Sequence, residues 1–484
     1  MTSKPNKDPD IADTDPYHLF DMHFKITDRN ITKILSEALS TGGDFAELFF
    51  EYRMAGSMLM EEDILKESSQ HISMGIGVRV LKNDQTGYAY TNEPVQKKII
   101  QAARTAAAIA CGNGSVRTAG FERKLPVYQN YDMHLPLHRQ SFDTKYHLLQ
   151  SAYVSARDLD TRIENVQATL ADEIRSVTIA NSEGLFISDL RPQVRMAVRV
   201  TAREKDRRNT GLSTGGGRIG LKYFRDDTTP ETIGKKAAQE AITLLSAVDP
   251  PAGEWPVVLG CEHSGVMIHE AVGHPLEADT NRKKTSIMWD KLGKQVAGSA
   301  VTIYDDPTLP HLRGSLNIDD EGTIPEKCIL IEKGKLVGFL QDRLSAKLMN
   351  LPPNGHGRRG SYQDIPIPRM ANTILAKGEA DPEDIIRSVK NGFYAKSFQG
   401  GQVQNSGKFT FSVNLGYLIE NGKLTKPVKN ATLIGTNVQI LNEVEMIGND
   451  IGFFLGTCGK DGQSAPVTAG TPTMKIRKMT VGGR

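Results

Sequence analysis

The sequence predicts an α+β protein in which N-terminal α+β layers with antiparallel meanders precede a β-rich C-terminal domain. A helix, then strands, then a helix occur twice before residue 248, which predicts two α+β units. The stretch "DPPAGEWP" (249–256) is a linker pattern, and turn-bounded strand patterns dominate after it. We therefore predict a flexible tail over 1–27, α+β domains over 28–136 and 137–248, and a C-terminal domain over 252–484.

The first unit begins where Thr27 or Asp28 can cap a helix, because apolar residues then recur at helical spacing as far as Gly42. "FAELFFEY" is a strand pattern. "HISMGIGVRVL" and "TGYAYT" predict two more strands joined by the turn "KNDQ". Pro94 opens an alanine-rich helix that we expect to stop at Gly112.

The second unit repeats this order. "SFDTKYHLLQSAYVSARDLD" has a helical pattern, and "IENVQATLADEIRSVTIANSEGLFISDL" predicts a meander that turns at "NSEG". "VRMAVRVTARE" alternates as a further strand, and "ETIGKKAAQEAITLLSAV" predicts the closing helix. Identity between the two units is negligible.

The C-terminal part is rich in hairpins. "KCILIEKGKLVGFLQ" predicts one, and "FTFSVNLGYLIENGKLT" predicts another, in which Asn421 and Gly422 suit a type I′ turn. "DPEDIIRSVKNG" predicts a helix with Asp381 as its cap and Gly392 at its exit. "WPVVLG" predicts a buried strand, and "SGVMIHEAV" predicts a helix capped by Ser264.

Composition excludes several classes of function. The chain has 484 residues, 39% of them hydrophobic, and a formal net charge of +2 from 59 basic and 57 acidic residues. This balance predicts no nucleic-acid or anionic-membrane partner, and no apolar run is long enough to span a bilayer. The 4 cysteines are far apart, which favours a reducing compartment. With no apolar leader at the N-terminus, we predict a cytoplasmic protein.

The stretch "IHEAVGHPLEAD" (268–279) contains the candidate catalytic and metal-binding residues. His269, Glu270 and His274 resemble the His-Glu-x-x-His pattern of zinc peptidases, but the histidines are five apart instead of four. On a regular α-helix, residues five apart point about 140° away from each other and cannot share a metal. Gly273 and Pro275 flank His274, so we expect a break or a π-bulge there. Glu270 would take a proton from zinc-bound water.

Catalytic zinc needs a third protein ligand. The candidates are Glu277, Asp279, His263, His356 and a cysteine. Cys458, in the small-residue stretch "GTCGKDG", is expected to lie in a loop that can reach a metal. Cys261 is expected to end a core strand, and Cys111 and Cys328 to pack in the interior. From chemistry alone, Cys458 and Glu277 remain competitors.

Two glycine patterns are decoys. "GHGRRG" (355–360) and "GGGRIG" (215–220) fit Gly-x-Gly-x-x-Gly, but neither lies between a strand and a helix, as a dinucleotide site requires. Arg358 and Arg359 either bind a peptide carboxylate or form structural ion pairs, and we favour the structural role.

A series of motifs resembles one family. These motifs occur in order after the histidine motif: "RGSLNIDDEGT", "GRRGSYQDIPIPRMANT", "SGKFTFSVNLGYLIENGK", "VKNATLIG", "MIGND" and "GTCGKDGQSAPVTAG". Together they resemble the TldD subfamily of the TldD/PmbA metalloproteases, once called modulators of DNA gyrase. The likeness runs from about residue 30 to the end. One departure is Pro275, where relatives often have glycine.

The resemblance implies a zinc-dependent metallopeptidase that cleaves unfolded or small peptides in the cytosol. It implies His269, His274 and Cys458 as metal ligands and Glu270 as the catalytic group, which favours Cys458 over Glu277. It also implies a heterodimer with a PmbA/TldE-type paralogue that lacks the histidine motif, or else a homodimer. The alternative is a non-catalytic peptide-binding or regulatory module with a structural metal.

Overall fold

The computed structural model describes residues 15–110, 118–132, 140–226, 228–261, 263–404 and 406–483. None of the helices in these ranges is long and apolar enough to cross a membrane. Cys111 and Gly112, for which the sequence predicted a packing residue and a helix end, lie outside the described residues.

The N-terminal half contains one seven-stranded sheet with helices packed against it. Its helices are α1 (Pro16–Phe24), α2 (Asp28–Ala38), α3 (Gln96–Ala110), α4 (Phe142–Arg157), α5 (Tyr223–Asp226) and α6 (Pro230–Leu245). Its strands are β1 (Phe45–Glu61), β2 (Ile64–Lys82), β3 (Gln85–Thr91), β4 (Glu122–Lys124), β5 (Ile163–Asn181), β6 (Leu185–Glu204) and β7 (Arg207–Gly217). The order is β3-β2-β1-β5-β6-β4, with β7 also paired to β6.

The two predicted N-terminal units share this sheet, because β1 pairs with both β2 and β5. Leu48 and Phe50 of β1 belong to the core that α2 and α3 cover. Met58 and Met60 of the same strand belong to the core that α4 and α6 cover. Because side chains alternate between the two faces of a strand, these helices all lie on one face. The boundary between 136 and 137 stays a prediction.

The C-terminal half is built from two six-stranded sheets and a short ribbon. Its strands are β8 (Gly253–Leu259), β9 (Ile303–Asp305), β10 (Cys328–Glu332), β11 (Lys335–Leu336), β12 (Gly357–Arg358), β13 (Ile367–Pro368), β14 (Asn372–Leu375), β15 (Asn391–Val403), β16 (Lys408–Glu420), β17 (Lys423–Thr436), β18 (Val444–Ile447), β19 (Gly452–Lys460), β20 (Gln463–Thr471) and β21 (Met474–Gly482). Its α-helices are α7 (Gly265–Ile268), α8 (Ala278–Arg282), α9 (Arg343–Met349), α10 (Pro382–Arg387) and α11 (Asn437–Asn442).

One sheet has the order β17-β16-β15-β8-β21-β18, and a further pairing of β17 with β21 closes five of these strands into a barrel-like ring. The other sheet has the order β11-β10-β9-β14-β20-β19, so that β19 is an edge strand. One large apolar core fills the space between the two sheets. The α+β fold class with a β-rich C-terminal part is confirmed.

A buried ionic network joins the two halves. Arg79 of β2 bonds both Glu47 of β1 (2.8 Å) and Glu321 (2.5 Å). Arg359 bonds the same Glu47, and Arg191 of β6 bonds Asp320. Each of these guanidinium groups is almost fully buried, so removing one partner would leave an uncompensated charge. These contacts confirm the structural role that the sequence analysis favoured for Arg359.

Several local predictions are confirmed. Thr27 caps α2 through its side chain, and Asp381 caps α10 in the same way. Asn421 and Gly422 both have positive φ angles, 52° and 73°, as a type I′ turn requires.

Other local predictions are wrong. Part of the predicted tail forms α1, whose Phe20 and Phe24 pack edge-to-face against Phe50. The segment 185–204 is one strand instead of two, because Pro192 is accommodated opposite Ile174. Strand β8 begins inside the predicted linker, and α10 ends at Arg387, before Gly392.

Candidate metal centre

The histidine motif adopts three kinds of helix in succession. Helix α7 ends at Ile268, residues His269–Gly273 form a π-helix, and His274–Leu276 form a 3₁₀ turn. The amide of His274 donates to the carbonyl of His269, five residues back. This wider turn brings residues five apart onto one face, and the two imidazole centroids lie 5.0 Å apart. The predicted irregularity is confirmed.

Of the two expected irregularities, a break and a π-bulge, the structure shows the π-bulge. Gly273 and His274 both keep right-handed helical φ and ψ angles, so neither residue leaves the helical region. Gly273 is needed for space, because a Cβ atom there would lie 1.7 Å from Sδ of Met370. Ser264 does not cap α7 with its side chain. Its hydroxyl instead bonds the carbonyl of Gly260 and the hydroxyl of Thr471, which anchor the start of the helix.

Cys458 lies in β19, opposite Ala465 of β20, and not in a loop as predicted. The turn of the "GTCGKDG" stretch comes later, at Asp461 and Gly462. The backbone carbonyl of Cys458 accepts a 2.6 Å hydrogen bond from Arg369. A paired strand fixes the direction of the Cys458 side chain more firmly than a loop would.

The structure brings His269, His274 and Cys458 together. One ligand atom from each lies within 4.8 Å of the other two, and Sγ of Cys458 is 3.3 Å from Nε2 of His274. Tetrahedral zinc with ordinary Zn–N and Zn–S bond lengths would separate such a nitrogen and sulfur by about 3.5 Å. Nδ1 of His269 is buried without a hydrogen-bond partner. Two imidazoles and a thiol at this spacing fit zinc.

The electrostatics of the cluster favour a bound cation. Burial raises the pKa of the Cys458 thiol, but His269 and His274 lower it to about 5, so that the thiolate forms readily. Burial lowers the pKa of His274, but Glu277 and Cys458 raise it to about 11. A thiolate beside two imidazoles is a set of ligands that suits a bound zinc ion.

Glu277 lies behind His274 and not beside Cys458. Its Oε2 is 3.0 Å from Nδ1 of His274 and 3.1 Å from Nζ of Lys460, and its Oε1 is 4.0 Å from Nε of Arg369. Because Nδ1 and Nε2 are on opposite sides of an imidazole ring, Glu277 contacts the side that faces away from Cys458. A carboxylate in this place orients a metal-binding histidine. The spacing of three residues from His274 could have indicated this contact.

The other candidate ligands lie elsewhere or have other partners. His356 is fully buried, with Nε2 3.1 Å from Asp305 and Nδ1 beside Asn354. Asp279 bonds Lys460 at 2.7 Å. The ring of His263 packs against Phe454. Cys328 is buried, and burial raises the pKa of its thiol to about 12, as expected of a packing residue.

Glu270 follows the first histidine in the π-helix and lines a cavity of about 610 Å³ with His269, His274 and Cys458. Burial raises the pKa of its carboxyl group, although His269 and His274 oppose this effect. The cavity is also lined by Gly400, Gly401 and Gln402 of β15. A carboxylate, a candidate metal position and an extended strand therefore face one space, as a metallopeptidase requires.

The comparisons agree with this class of protein. Residues 252–483 match the model of the PmbA/TldA metallopeptidase C-terminal domain, residues 135–245 match the central domain, and residues 46–110 match domain 1. A metalloprotease TldD homolog of Buchnera aphidicola is 40% identical over 470 residues, which cover 95% of this chain and 97% of that protein. The chain belongs to the TldD subfamily of the PmbA/TldD metallopeptidase family.

More distant relatives also match over nearly the whole length of this chain. A zinc metalloprotease TldD homolog of Saccharolobus solfataricus is 28% identical, and the match covers 93% of this chain and 99% of that protein. Two solved structures share the fold. A Thermotoga maritima protein named as a candidate modulator of a DNA gyrase has a TM-score of 0.78 at 23% identity, covering 94% of this chain and 99% of that one. TldE of Thermococcus kodakarensis has a TM-score of 0.74 at 20% identity, covering 94% and 100%.

Proposed function

We propose that the protein is a zinc peptidase that cleaves unfolded or small peptides in the cytosol. His269, His274 and Cys458 hold the metal, and Glu270 is the catalytic group. The observation that carries this proposal is the meeting of three ligand atoms within 4.8 Å in a cavity that Glu270 also lines. The name of the Saccharolobus solfataricus relative supports zinc as the metal.

A zinc ion at this position would polarise the scissile carbonyl and make an attacking water more acidic. Glu270 accepts the proton of that water and passes it to the leaving amine. Glu270 is next to a ligand in the π-helix but is not part of the ligand cluster, so its carboxylate stays available for this transfer. Glu277 holds Nδ1 of His274, which keeps Nε2 turned towards Cys458.

The peptide binds as an added strand along β15. Residues Gly400–Val403 of this strand pair with β16 on one side, whereas the pairing of β15 with β8 covers only Phe393–Ala395. The stretch from 400 to 404 lines the cavity that contains Glu270. Main-chain pairing of this kind holds an extended backbone with little regard for side chains, which suits an enzyme for unfolded peptides.

The resemblance to the TldD subfamily supports a paired assembly. The partner is a PmbA/TldE-type paralogue or a second copy of this chain, and this chain supplies the catalytic site. We keep the predicted boundaries at 136/137 and 248/252 as the division into domains.

The test combines metal analysis with peptide hydrolysis. Purified protein, alone and mixed with a candidate paralogue, should contain one zinc per chain and cleave an unfolded peptide but not a folded protein. Loss of cleavage on chelation and its return with zinc would support the proposal. Cleavage that is unaffected by chelation would contradict it.

A further inference from the structure

The cavity that contains Glu270 has an apolar part. Val266, Phe454 and Val467 are among the residues that line it, together with the three residues of the candidate metal centre. Val266 and Val467 are 8% and 2% exposed, whereas Phe454 is only partly buried against the same apolar core. A partly buried phenylalanine in a cavity leaves apolar surface that a ligand can cover. The proposed proton transfer and metal binding use none of these three side chains.

Strand β19 places Phe454 on the same face as the candidate ligand Cys458. Side chains two and four residues apart on a strand share a face, so that Phe454, Gly456 and Cys458 form one row. Val467 of β20 lies directly opposite Gly456 and therefore belongs to this face as well. The row thus runs from an aromatic ring, past a residue without a side chain, to the thiol.

Gly456 lets the ring of Phe454 lean towards the metal centre. A Cβ atom at Gly456 would lie 2.9 Å from Cε1 of Phe454 and 3.1 Å from Cγ2 of Val467. The ring therefore covers the space above Gly456, next to Val467 and in the direction of Cys458. The ring also packs against His263, with the two ring centroids 6.3 Å apart. The apolar surface of Phe454 is thereby held close to the position of the metal.

Helix α7 brings Val266 to the same part of the cavity. A Cβ atom at Gly265 would lie 2.4 Å from the carbonyl oxygen of Ala469, so the helix packs directly on β20. Ala469 is the residue opposite Phe454. Val266 precedes Glu270 by four residues, and residues four apart lie on the same side of a helix. The apolar part of the cavity therefore adjoins the carboxylate of Glu270.

We propose that Val266, Phe454 and Val467 form a subsite that binds one apolar side chain of the peptide, next to the bond that is cleaved. This inference rests on the proposed function, because it takes a peptide as the ligand. An extended peptide can direct one side chain into a pocket while its main chain pairs with a strand. The three side chains carry no hydrogen-bonding group, so a charged side chain placed there would lose its water without compensation. An apolar side chain would gain from burial.

The test moves one leucine along a peptide. Peptides of glycine and serine, equal in length and labelled at one end with a fluorophore, carry the leucine at successive positions, and the reference peptide has serine instead. Binding is measured with the full-length, zinc-loaded Glu270→Gln protein, mixed with any paralogue it needs, so that the peptide is not cut. Burial of one leucine should make the best leucine peptide bind more tightly than the reference by a factor on the order of 10.

Variants of the subsite are made in the same Glu270→Gln protein. Phe454→Ala should reduce the preference for leucine to less than about 3-fold, because the exposed apolar surface is lost, whereas Phe454→Leu should keep most of it. Val467→Thr keeps the shape of the side chain but makes it polar, and it should also weaken the preference. Phe453→Ala is the matched control. Phe453 is the neighbouring phenylalanine on the opposite face of β19, it is 38% exposed, and it is not among the residues that line the cavity.

The wild-type protein gives an independent result. The bond that it cleaves should move with the leucine and stay at a constant distance from it, which the masses of the products show. A cleaved bond that does not follow the leucine would overturn the inference. So would equal binding of the leucine and serine peptides, binding of neither, or a preference that folded Phe454→Ala and Val467→Thr proteins both keep.

The two proposals fail separately. If the wild type cleaves no peptide, the proposed function is wrong, but the binding preference of the Glu270→Gln protein still decides whether the apolar subsite exists. If the wild type cleaves peptides without regard to the leucine, the proposed function stands and the subsite does not. Zinc content and melting temperature, measured for every variant, identify any that fails to fold.

Discussion

Nδ1 of His274 lies 3.0 Å from Oε2 of Glu277, on the side of the ring opposite Cys458. This contact fixes the orientation of the His274 ring, because Glu277 is itself held by an ion pair with Lys460. The ring of His274 is therefore oriented before any metal binds, which lowers the cost of forming the site.

Glu277→Gln should weaken zinc binding. Glutamine keeps the size of the side chain but loses the charge that orients and polarises His274, and such changes typically reduce metal affinity about 10–100-fold. Competition with a chromogenic chelator measures the affinity. Asp290→Asn, a surface change, is the control and should leave it unchanged. Wild-type affinity in a folded Glu277→Gln protein would contradict this role.

Cys458→Ser should remove most of the zinc, because a hydroxyl replaces the thiolate ligand. Cys328→Ser is the matched control. Cys328 is also buried, but its thiol packs near the carbonyl of Phe339 and should not affect metal content. Elemental analysis of the purified proteins gives the answer. Full zinc retention by Cys458→Ser would point to another ligand.

Gly273→Ala should destabilise the protein through overpacking. The added Cβ would lie 1.7 Å from Sδ of Met370, and crowding of this kind typically costs about 1–3 kcal/mol. The melting temperature should fall, whereas Gly120→Ala, which has open space around its Cβ position, should change it little. Adding Met370→Ala to Gly273→Ala should cost less than the sum of the two single changes. Strict additivity would exclude the clash.

The contribution of Asp305 to the stability of the fold should depend on pH. Burial raises the pKa of its carboxyl group, but His356, Thr373 and the amide of Ala371 lower it, so that its net pKa lies below the usual value. Its contribution to stability is therefore complete above the unfolded value of about 3.9 and is lost as the pH falls towards the lower folded value. Asp305→Asn should cost about 3 kcal/mol at pH 7 and less at pH 3. An equal cost at both pH values would contradict this assignment.

Sequence patterns could predict what depends on local chemistry. The caps Thr27 and Asp381 and the Asn421–Gly422 turn follow from side chains within a few residues. The spacing of His269 and His274 also required an irregular backbone, and the π-helix supplies it.

Long-range packing could not be predicted in this way. Gly273 leaves room for the side chain of Met370, which is nearly a hundred residues away in the chain. Helix α1 is stabilised because Phe20 and Phe24 pack edge-to-face against Phe50 of β1. Cys458 lies in a strand since β20 pairs with it, and small residues that suit a loop also suit an edge strand. The contact of Glu277 with Lys460 also depends on a neighbour from a distant segment.

The most direct test of the central claim is single-turnover cleavage of an unfolded peptide by zinc-loaded wild type and Glu270→Gln, each mixed with any paralogue it requires. Glu270 is not in the ligand cluster, so the variant should keep its zinc and still bind peptide. It loses the proton transfer, a contribution of roughly 10²–10⁴-fold, so we predict that the cleavage rate falls at least 100-fold. Equal rates at equal zinc content would contradict the account.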